Sequence, residues 1–60
     1  MRYEVLVYEP RYIKFNAKSR ESLFGRLKQR AKKTGAKVER VIRVEGKERY
    51  CEQIFNKDWL

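Results

Sequence analysis

Histidine is absent from the sequence, and cysteine and proline occur once each, as Cys51 and Pro10. A single cysteine cannot form an intramolecular disulfide, and without histidine the usual zinc sites and the cysteine–histidine nucleophile pair are excluded. We therefore expect no disulfide, no metal and no other cofactor. A free cysteine fits a reducing compartment, so the expected location is cytoplasmic.

Long apolar segments are missing as well. No run approaches the roughly 20 consecutive apolar residues that a membrane span needs, and the N-terminus lacks the apolar core of a secretory signal peptide. The sequence thus predicts no membrane partner. A chain of this length buries only about 60% of its unfolded surface, too little for two cores or for an enclosed substrate cavity. We expect one small basic domain over residues 1–60.

Acidic residues are scarce: 8 Asp and Glu stand against 16 Lys and Arg, for a formal net charge of +8. The excess is local, because residues 1–10 carry a net charge of −1 and residues 38–60 hold five residues of each sign. Between positions 11 and 37, Glu21 alone accompanies ten basic residues, a net charge of +9. These ten are Arg11, Lys14, Lys18, Arg20, Arg26, Lys28, Arg30, Lys32, Lys33 and Lys37.

Two alternating segments open the chain. Over residues 2–9 the side chains divide between two faces at a period of two, and residues 12–17 do the same, which predicts two strands. One face of the first segment has Tyr3, Val5 and Val7, and the other has Glu4, Leu6 and Tyr8. Pro10 lies between them and marks a turn. If Tyr8 pairs with Tyr12, the apolar residues of both strands share one face. The opposed apolar pairs are then Val7 with Ile13 and Val5 with Phe15.

Residues 20–34 have helical periodicity instead, with an apolar stripe within about 100° of arc. Ser19 is a candidate N-cap, and Gly35 suits the left-handed position that follows a last turn. Gly25 weakens the helix interior by about 1 kcal/mol relative to alanine. We interpret it as a tolerated weakness; the alternative is a close approach of backbone to a ligand. The stripe consists of Leu23, Phe24, Leu27 and Ala31.

Strand character returns in residues 37–45 and 48–55, on either side of a turn at Glu45, Gly46 and Lys47. The predicted register pairs Val44 with Glu48. It also opposes Ile42 to Tyr50, Arg40 to Glu52 and Val38 to Ile54, which matches apolar contacts and opposite charges. Val41 then lies alone on the other face. The tail after residue 55 either folds Trp59 onto the sheet or stays loose.

The order ββαββ predicts an α+β fold: a single two-layer domain with one helix packed on one face of a four-stranded, mostly antiparallel sheet. The strand order stays open, and a central parallel pair of the first and last strands, as in grasp-like folds, is one arrangement. The expected core comprises Tyr3, Val5, Val7, Ile13, Phe15, Leu23, Phe24, Leu27 and Ile42.

Cations form two ridges on the predicted helix: Arg26, Arg30 and Lys33 on one, and Lys28 with Lys32 on the other. Like charges at these spacings destabilise a helix by a few tenths of a kcal/mol per pair, and a bound polyanion relieves the repulsion. The alternative is an ordinary solvated face. The candidate nucleic-acid-binding residues are Arg26, Lys28, Arg30, Lys32, Lys33, Lys14 and Arg11.

The sheet face turned away from the helix is expected to be unusually apolar for a solvated surface. Its expected members are Leu6, Tyr8, Tyr12, Val41, Cys51 and Phe55, mixed with Lys14, Arg43 and Arg49. Three interpretations apply: stacking on unpaired bases, pairing with a second copy or another protein, and coverage by Trp59 and Leu60. The candidate contact residues on this face are Tyr8, Tyr12, Phe55, Arg43 and Arg49.

The sequence offers little support for a catalytic site. Ser19 and Ser22 have no histidine to activate them. The glutamates of the second half lie among basic neighbours, which favours cross-strand ion pairs over a metal site or an acid–base couple. Cys51 is interpreted as a packed, unreactive thiol beside Val41. We expect no enzymatic activity.

Two functional hypotheses follow from charge and size. The signatures of RRM, KH, zinc-finger and P-loop proteins are absent. The first hypothesis is a nucleic-acid-binding accessory protein that contacts the phosphates of DNA or RNA through its cationic helix. The second is a protein interaction module, an inhibitor or adaptor of the kind phages and mobile elements encode, which docks on an acidic protein surface. A homodimer through the exposed sheet face is a further arrangement.

Overall fold

The computed structural model describes residues 1–59. Its elements are β1 (Arg2–Tyr8), β2 (Tyr12–Ala17), α1 (Arg20–Thr34), β3 (Lys37–Glu45), β4 (Glu48–Glu52) and a 3₁₀ turn (Asn56–Asp58). The strands form one sheet in the order β2-β1-β3-β4, and every neighbouring pair is antiparallel. The α+β fold predicted from the sequence is confirmed. The parallel pairing of first and last strands is excluded, because β1 lies beside β3 and β4 forms an edge.

The first hairpin has the register that its alternation predicts. Tyr8 faces Tyr12, Val7 faces Ile13 and Val5 faces Phe15. The side chains of Val5 and Val7 are buried against the helix, while Phe15 and Ile13 pack on the margin of the same cluster. A shift by one residue would expose all of them, so burial of this face determines the register.

Both predicted helix caps are present. The Ser19 hydroxyl accepts a hydrogen bond of 3.1 Å from the backbone N–H of Ser22. Gly35 has φ 70°, a left-handed conformation that glycine adopts without steric cost, and its N–H donates to the carbonyl of Ala31. Between the caps, Leu23 and Leu27 are fully buried. The apolar stripe of α1 therefore faces the sheet as predicted.

The predicted register of the second hairpin is wrong by one residue. Glu45, not Val44, pairs with Glu48, so the turn contains only Gly46 and Lys47. Gly46 has φ 61°, which suits the first central position of a two-residue type II′ turn. The tighter turn moves every partner: Ile42 faces Cys51 and Val41 faces Glu52. The fourth strand also ends at residue 52 instead of 55.

Because of a bulge in β3, the observed core differs from the predicted one. Leu6 pairs with Arg40 but Val7 pairs with Val38, so Glu39 has no opposite residue on β1. Such an extra residue reverses which side chains face each side of the sheet beyond it. Val41 is consequently 1% exposed and belongs to the core, whereas Ile42 lies on the other face and was wrongly assigned to the core.

The C-terminal tail folds onto the helix side of the sheet. Ile54 and Trp59 are buried and belong to the cluster that contains Leu23 and Leu27. Of the two expectations for the tail, folding of Trp59 onto the sheet is confirmed. Trp59 does not cover the sheet face opposite α1, and Leu60, the second residue of that interpretation, lies outside the described residues.

Candidate functional site

Exposed cations occupy the solvent side of α1. Lys28, Lys32 and Lys33 are exposed, as is Arg20 at the start of the helix. Within residues 1–59 the ion pairs engage only Arg2, Arg30, Arg43 and Arg49 among the basic side chains. The three lysines therefore have no acidic partner in the described part of the chain. Their charge is available to an external anion.

Arg26 and Arg30, which with Lys33 form one of the two predicted ridges, make contacts within the fold. Their guanidinium carbons lie 5.3 and 5.1 Å from the centroid of the Phe15 ring, at cation–π distance. Arg26 also donates a hydrogen bond to the backbone carbonyl of Asn16 on β2, an edge strand. The two arginines thus fasten α1 to β2.

Arg30 has a second partner in Glu9. Its Nη1 donates to the Glu9 Oε1 over 2.8 Å, and the Glu9 side chain is only 5% exposed. A nearly buried carboxylate depends on such a partner, because leaving it unpaired incurs its full desolvation cost. Arg30 is consequently more a structural residue than a free phosphate ligand.

The sheet face opposite α1, which we call the open face, is organised in four rows across the strands. The first row is Tyr12–Tyr8–Lys37, the second Lys14–Leu6–Arg40, the third Asn16–Glu4–Ile42–Cys51 and the fourth Arg2–Val44–Arg49. The rows follow from strand pairing, since directly opposed residues share a face. Two of the predicted nucleic-acid ligands are thereby separated from the helix: Lys14 lies on the open face and Arg11 in the β1–β2 loop.

Two exposed tyrosines form one end of the open face. Tyr8 is 41% and Tyr12 64% exposed, and their ring centroids are 5.2 Å apart in an edge-to-face arrangement. This geometry is favourable for an aromatic pair and leaves ring surface in contact with water. Lys37, opposite Tyr8 on β3, and Lys14, next along β2, add cations beside the pair.

A shallow concavity of about 410 Å³ lies on the open face, lined by residues of the second to fourth rows and not by the tyrosines. Leu6 and Ile42 line it and are half-buried. The polar side chains around it are Glu4, Lys14, Asn16, Arg40 and Arg49. Its volume is in the range of small-ligand clefts, but it is open along one side. The lining combines an apolar floor with three cations and one carboxylate.

That carboxylate, Glu4, is neutralised by its neighbours. Arg49 reaches from β4 across β3 and donates two hydrogen bonds to it, and Arg2 donates a third. The hydrogen bonds from Arg49, and then those from Arg2, hold the pKa of Glu4 below its ordinary value, while the same contact raises the pKa of Arg49. The concavity therefore keeps a positive net charge.

Two residues predicted for the open face lie elsewhere. Arg43 pairs with Tyr3 and so belongs to the helix face, where its guanidinium carbon is 4.7 Å from the Tyr50 ring centroid and its Nε 2.9 Å from Glu52. Phe55 follows the end of β4 and caps the 3₁₀ turn. Arg43 was misplaced because the bulge at Glu39 puts Val41 and Arg43, which pair with Val5 and Tyr3, on the helix side of the sheet.

Other side chains of the second hairpin are also repositioned. Cys51 is exposed on the open face beside Ile42, so the interpretation as a packed thiol next to Val41 is wrong. Glu52 pairs with Arg43 instead of Arg40. The Tyr50 hydroxyl donates to Glu48, and this hydrogen bond raises the pKa of Tyr50, with burial as the second cause.

The cation–π contacts were not foreseen from the sequence. Arg20 stacks over Phe24 at 4.9 Å, in addition to the contacts at Phe15 and Tyr50. A spacing signal existed: Arg26 and Arg30 are four apart and border the apolar stripe, so both turn toward the same neighbouring strand. Arginine at the edge of a buried stripe often covers apolar surface with its stem and plane.

No grouping of three or more potential metal ligands is found in residues 1–59, and no helix there is long and apolar enough to cross a bilayer. Comparison of the chain with protein-family models, with curated proteins and with solved structures gives no match.

Proposed function

We propose that this protein is a small, cytoplasmic nucleic-acid-binding accessory protein that contacts the phosphate backbone through exposed lysines of α1. One observation carries the proposal: Lys28, Lys32 and Lys33 are exposed together on the helix without an acidic partner in residues 1–59. Three such cations on one short helix repel one another, and phosphates remove this repulsion while displacing condensed counterions.

The proposed contact residues are mainly the lysines of α1, whereas the sequence also indicated Arg26 and Arg30. Arg26 and Arg30 hold Phe15 and Glu9, so their replacement changes the fold as well as the surface charge. Within residues 1–59 the lysines have no ion pair or ring contact, and Lys32 and Lys33 lie in the last helical turn. A loss of affinity in a lysine variant can therefore be attributed to the interface, whereas in an arginine variant it can also result from a change in the fold.

A matched pair of double variants tests the proposal. Lys28→Gln/Lys32→Gln removes two helix cations, and Lys47→Gln/Lys57→Gln removes two exposed cations from the β3–β4 turn and the tail. Both lower the formal net charge from +8 by two. Binding of a labelled mixed-sequence duplex is measured by fluorescence anisotropy across a salt series. We expect the helix variant to reduce the magnitude of the log–log salt slope by about 2, and the control to change it by less than about 1.

Equal losses in the two variants would show that only the total charge matters and would contradict a helix interface. Absence of binding to any nucleic acid at low salt would overturn the proposal. In a pulldown from lysate, partners that survive nuclease treatment would instead support the second hypothesis, docking on an acidic protein surface.

A further inference from the structure

The open face combines aromatic and cationic side chains and is a separate surface from the helix lysines. A row containing two exposed tyrosines lies directly beside a row in which Lys14 and Arg40 flank Leu6. Successive rows on one sheet face are two residues, about 7 Å, apart, and neighbouring strands are about 4.8 Å apart. A single nucleotide can therefore contact an aromatic ring with its base and a cation with its phosphate.

We propose that the open face binds single-stranded nucleic acid, with an unpaired base stacked on Tyr12 or Tyr8 and the adjoining phosphates held by Lys14, Lys37 and Arg40. This inference rests on the proposed nucleic-acid-binding function and specifies that the ligand of the open face is single-stranded. Stacking on an aromatic ring accepts any base, whereas the cations follow the backbone.

The tyrosines are the first support. Tyr12 is 64% exposed on a short edge strand, although burying a tyrosine ring contributes strongly to stability. The edge-to-face contact with Tyr8 favours one relative orientation of the two rings. A platform that is already ordered loses little side-chain entropy on binding.

The charge distribution is the second support. Among the paired strand residues that the structure describes, the open face carries the cations Arg2, Lys14, Lys37, Arg40 and Arg49 and only one carboxylate, Glu4, which two arginines neutralise. A polyanion complements this surface. A second copy of the chain does not, because pairing two open faces would bring like charges together, and like-charge juxtaposition across an interface costs several kcal/mol.

The strand type follows from the tyrosines. In a duplex the base faces are already stacked on each other, so an exposed aromatic ring on a sheet finds no free base. The concavity with Leu6 and Ile42 as its floor adds apolar surface that suits a base more than a sugar–phosphate edge. Single strands are therefore the ligand that uses both parts of the open face.

The test measures anisotropy with labelled oligouridine and oligothymidine, and with a duplex of equal length. Tyr12→Ala and Tyr8→Ala are each expected to weaken single-strand binding about five- to 150-fold, from the energy of base–aromatic stacking, and to leave duplex binding within about twofold. Tyr12→Phe keeps the ring and is expected to keep the affinity. Arg40→Gln is expected to weaken binding more than the charge-matched control Lys47→Gln. The two oligonucleotides distinguish RNA from DNA.

NMR mapping on the unaltered protein keeps the test independent of variant stability. Amide signals of Leu6, Lys14 and Arg40 are expected to shift on addition of oligouridine or oligothymidine. Single-strand affinity unchanged in both tyrosine variants, or shifts confined to α1, would overturn this inference while leaving the proposed function intact. A complete lack of binding to single strands and duplex would overturn both.

Discussion

At the scale of single residues, arginine and lysine have separate roles in this protein. Within residues 1–59, six of the eight arginines contact a carboxylate or an aromatic ring: Arg2, Arg20, Arg26, Arg30, Arg43 and Arg49. All eight lysines are exposed, and in residues 1–59 none has an ion pair or a ring contact. The planar, weakly hydrated guanidinium suits packing, while the strongly hydrated ammonium favours water. The surface charge open to a partner is mainly that of the lysines.

The Arg30–Glu9 pair gives a first prediction. Arg30→Met keeps much of the apolar stem but leaves the nearly buried Glu9 carboxylate without its partner. We expect it to lower the free energy of unfolding by about 1–3 kcal/mol, as measured by urea denaturation. Lys28→Met, on the same helix, is expected to change it by less than about 0.5 kcal/mol.

The double variant Arg30→Met/Glu9→Gln provides the internal check, because it removes the unpaired charge. It is expected to recover part of the loss, with a coupling energy of about 0.5–3 kcal/mol. Strictly additive losses would show that Arg30 stabilises the fold by other contacts, Phe15 among them.

The acidic limb of the stability curve gives a second prediction. The pKa of Glu4 is lowered in the fold by hydrogen bonds from Arg49, so the pair stabilises the protein above the ordinary value of 4.5 and ceases to do so as the pH falls through the lower, folded value. Glu4→Gln is therefore expected to lower the urea midpoint at about pH 6 and to match the unaltered protein at strongly acidic pH. An equal difference at both pH values would contradict this assignment.

At the scale of elements, α1 contains one position that can be improved. Gly25 lies in the helix interior with a negative φ, and a β-carbon added there meets nothing within 4 Å apart from the adjoining backbone of its own helix. Gly25→Ala is expected to stabilise the protein by about 0.4–1 kcal/mol, since alanine restricts the unfolded chain and favours the helix. The measurement is the urea midpoint.

The same variant decides between the two interpretations of Gly25. If the glycine is a tolerated weakness, nucleic-acid affinity stays unchanged while stability rises. If the backbone approaches a bound phosphate closely at this position, Gly25→Ala loses affinity despite the gain in stability.

The two hairpins show how far the sequence predicts the elements. In the first, the short loop at Pro10 and the pairing of Tyr8 with Tyr12 leave only one register that buries Val5 and Val7 on the same face as Ile13 and Phe15. In β3, apolar residues occur at both even and odd positions, so alternation alone cannot assign Val41 and Ile42. The bulge at Glu39 and the two-residue turn at Gly46 decide the assignment, and neither has a local sequence signal strong enough to outweigh the apparent pairing of apolar and charged residues.

The candidate site was predictable to a similar degree. Tyr8, Tyr12, Lys14 and Arg49 lie on the open face as alternation indicates, because their strands have regular pairing around them. Arg43 was misplaced with β3. The engagement of Arg26 and Arg30 depends on how α1 crosses β2, a tertiary relation that helical periodicity does not contain.

At the scale of the whole molecule, the formal charge of +8 is divided between two sides. The lysines of α1 form one cationic surface, and the open face forms another, with tyrosines at one end and a neutralised Glu4 at its centre. The core between them is small, and Trp59 is needed to complete it. We expect Trp59→Ala to cost about 3–5 kcal/mol and to leave the chain largely unfolded, which far-UV circular dichroism would show.

The salt dependence of nucleic-acid binding tests the central claim most directly. Anisotropy titrations of the unaltered protein with a labelled mixed-sequence oligonucleotide are performed at about 50 and 200 mM salt. With about five phosphates neutralised, the affinity is expected to fall by a few hundredfold between the two conditions. No measurable binding at the lower concentration, or binding that does not depend on salt, would contradict the account.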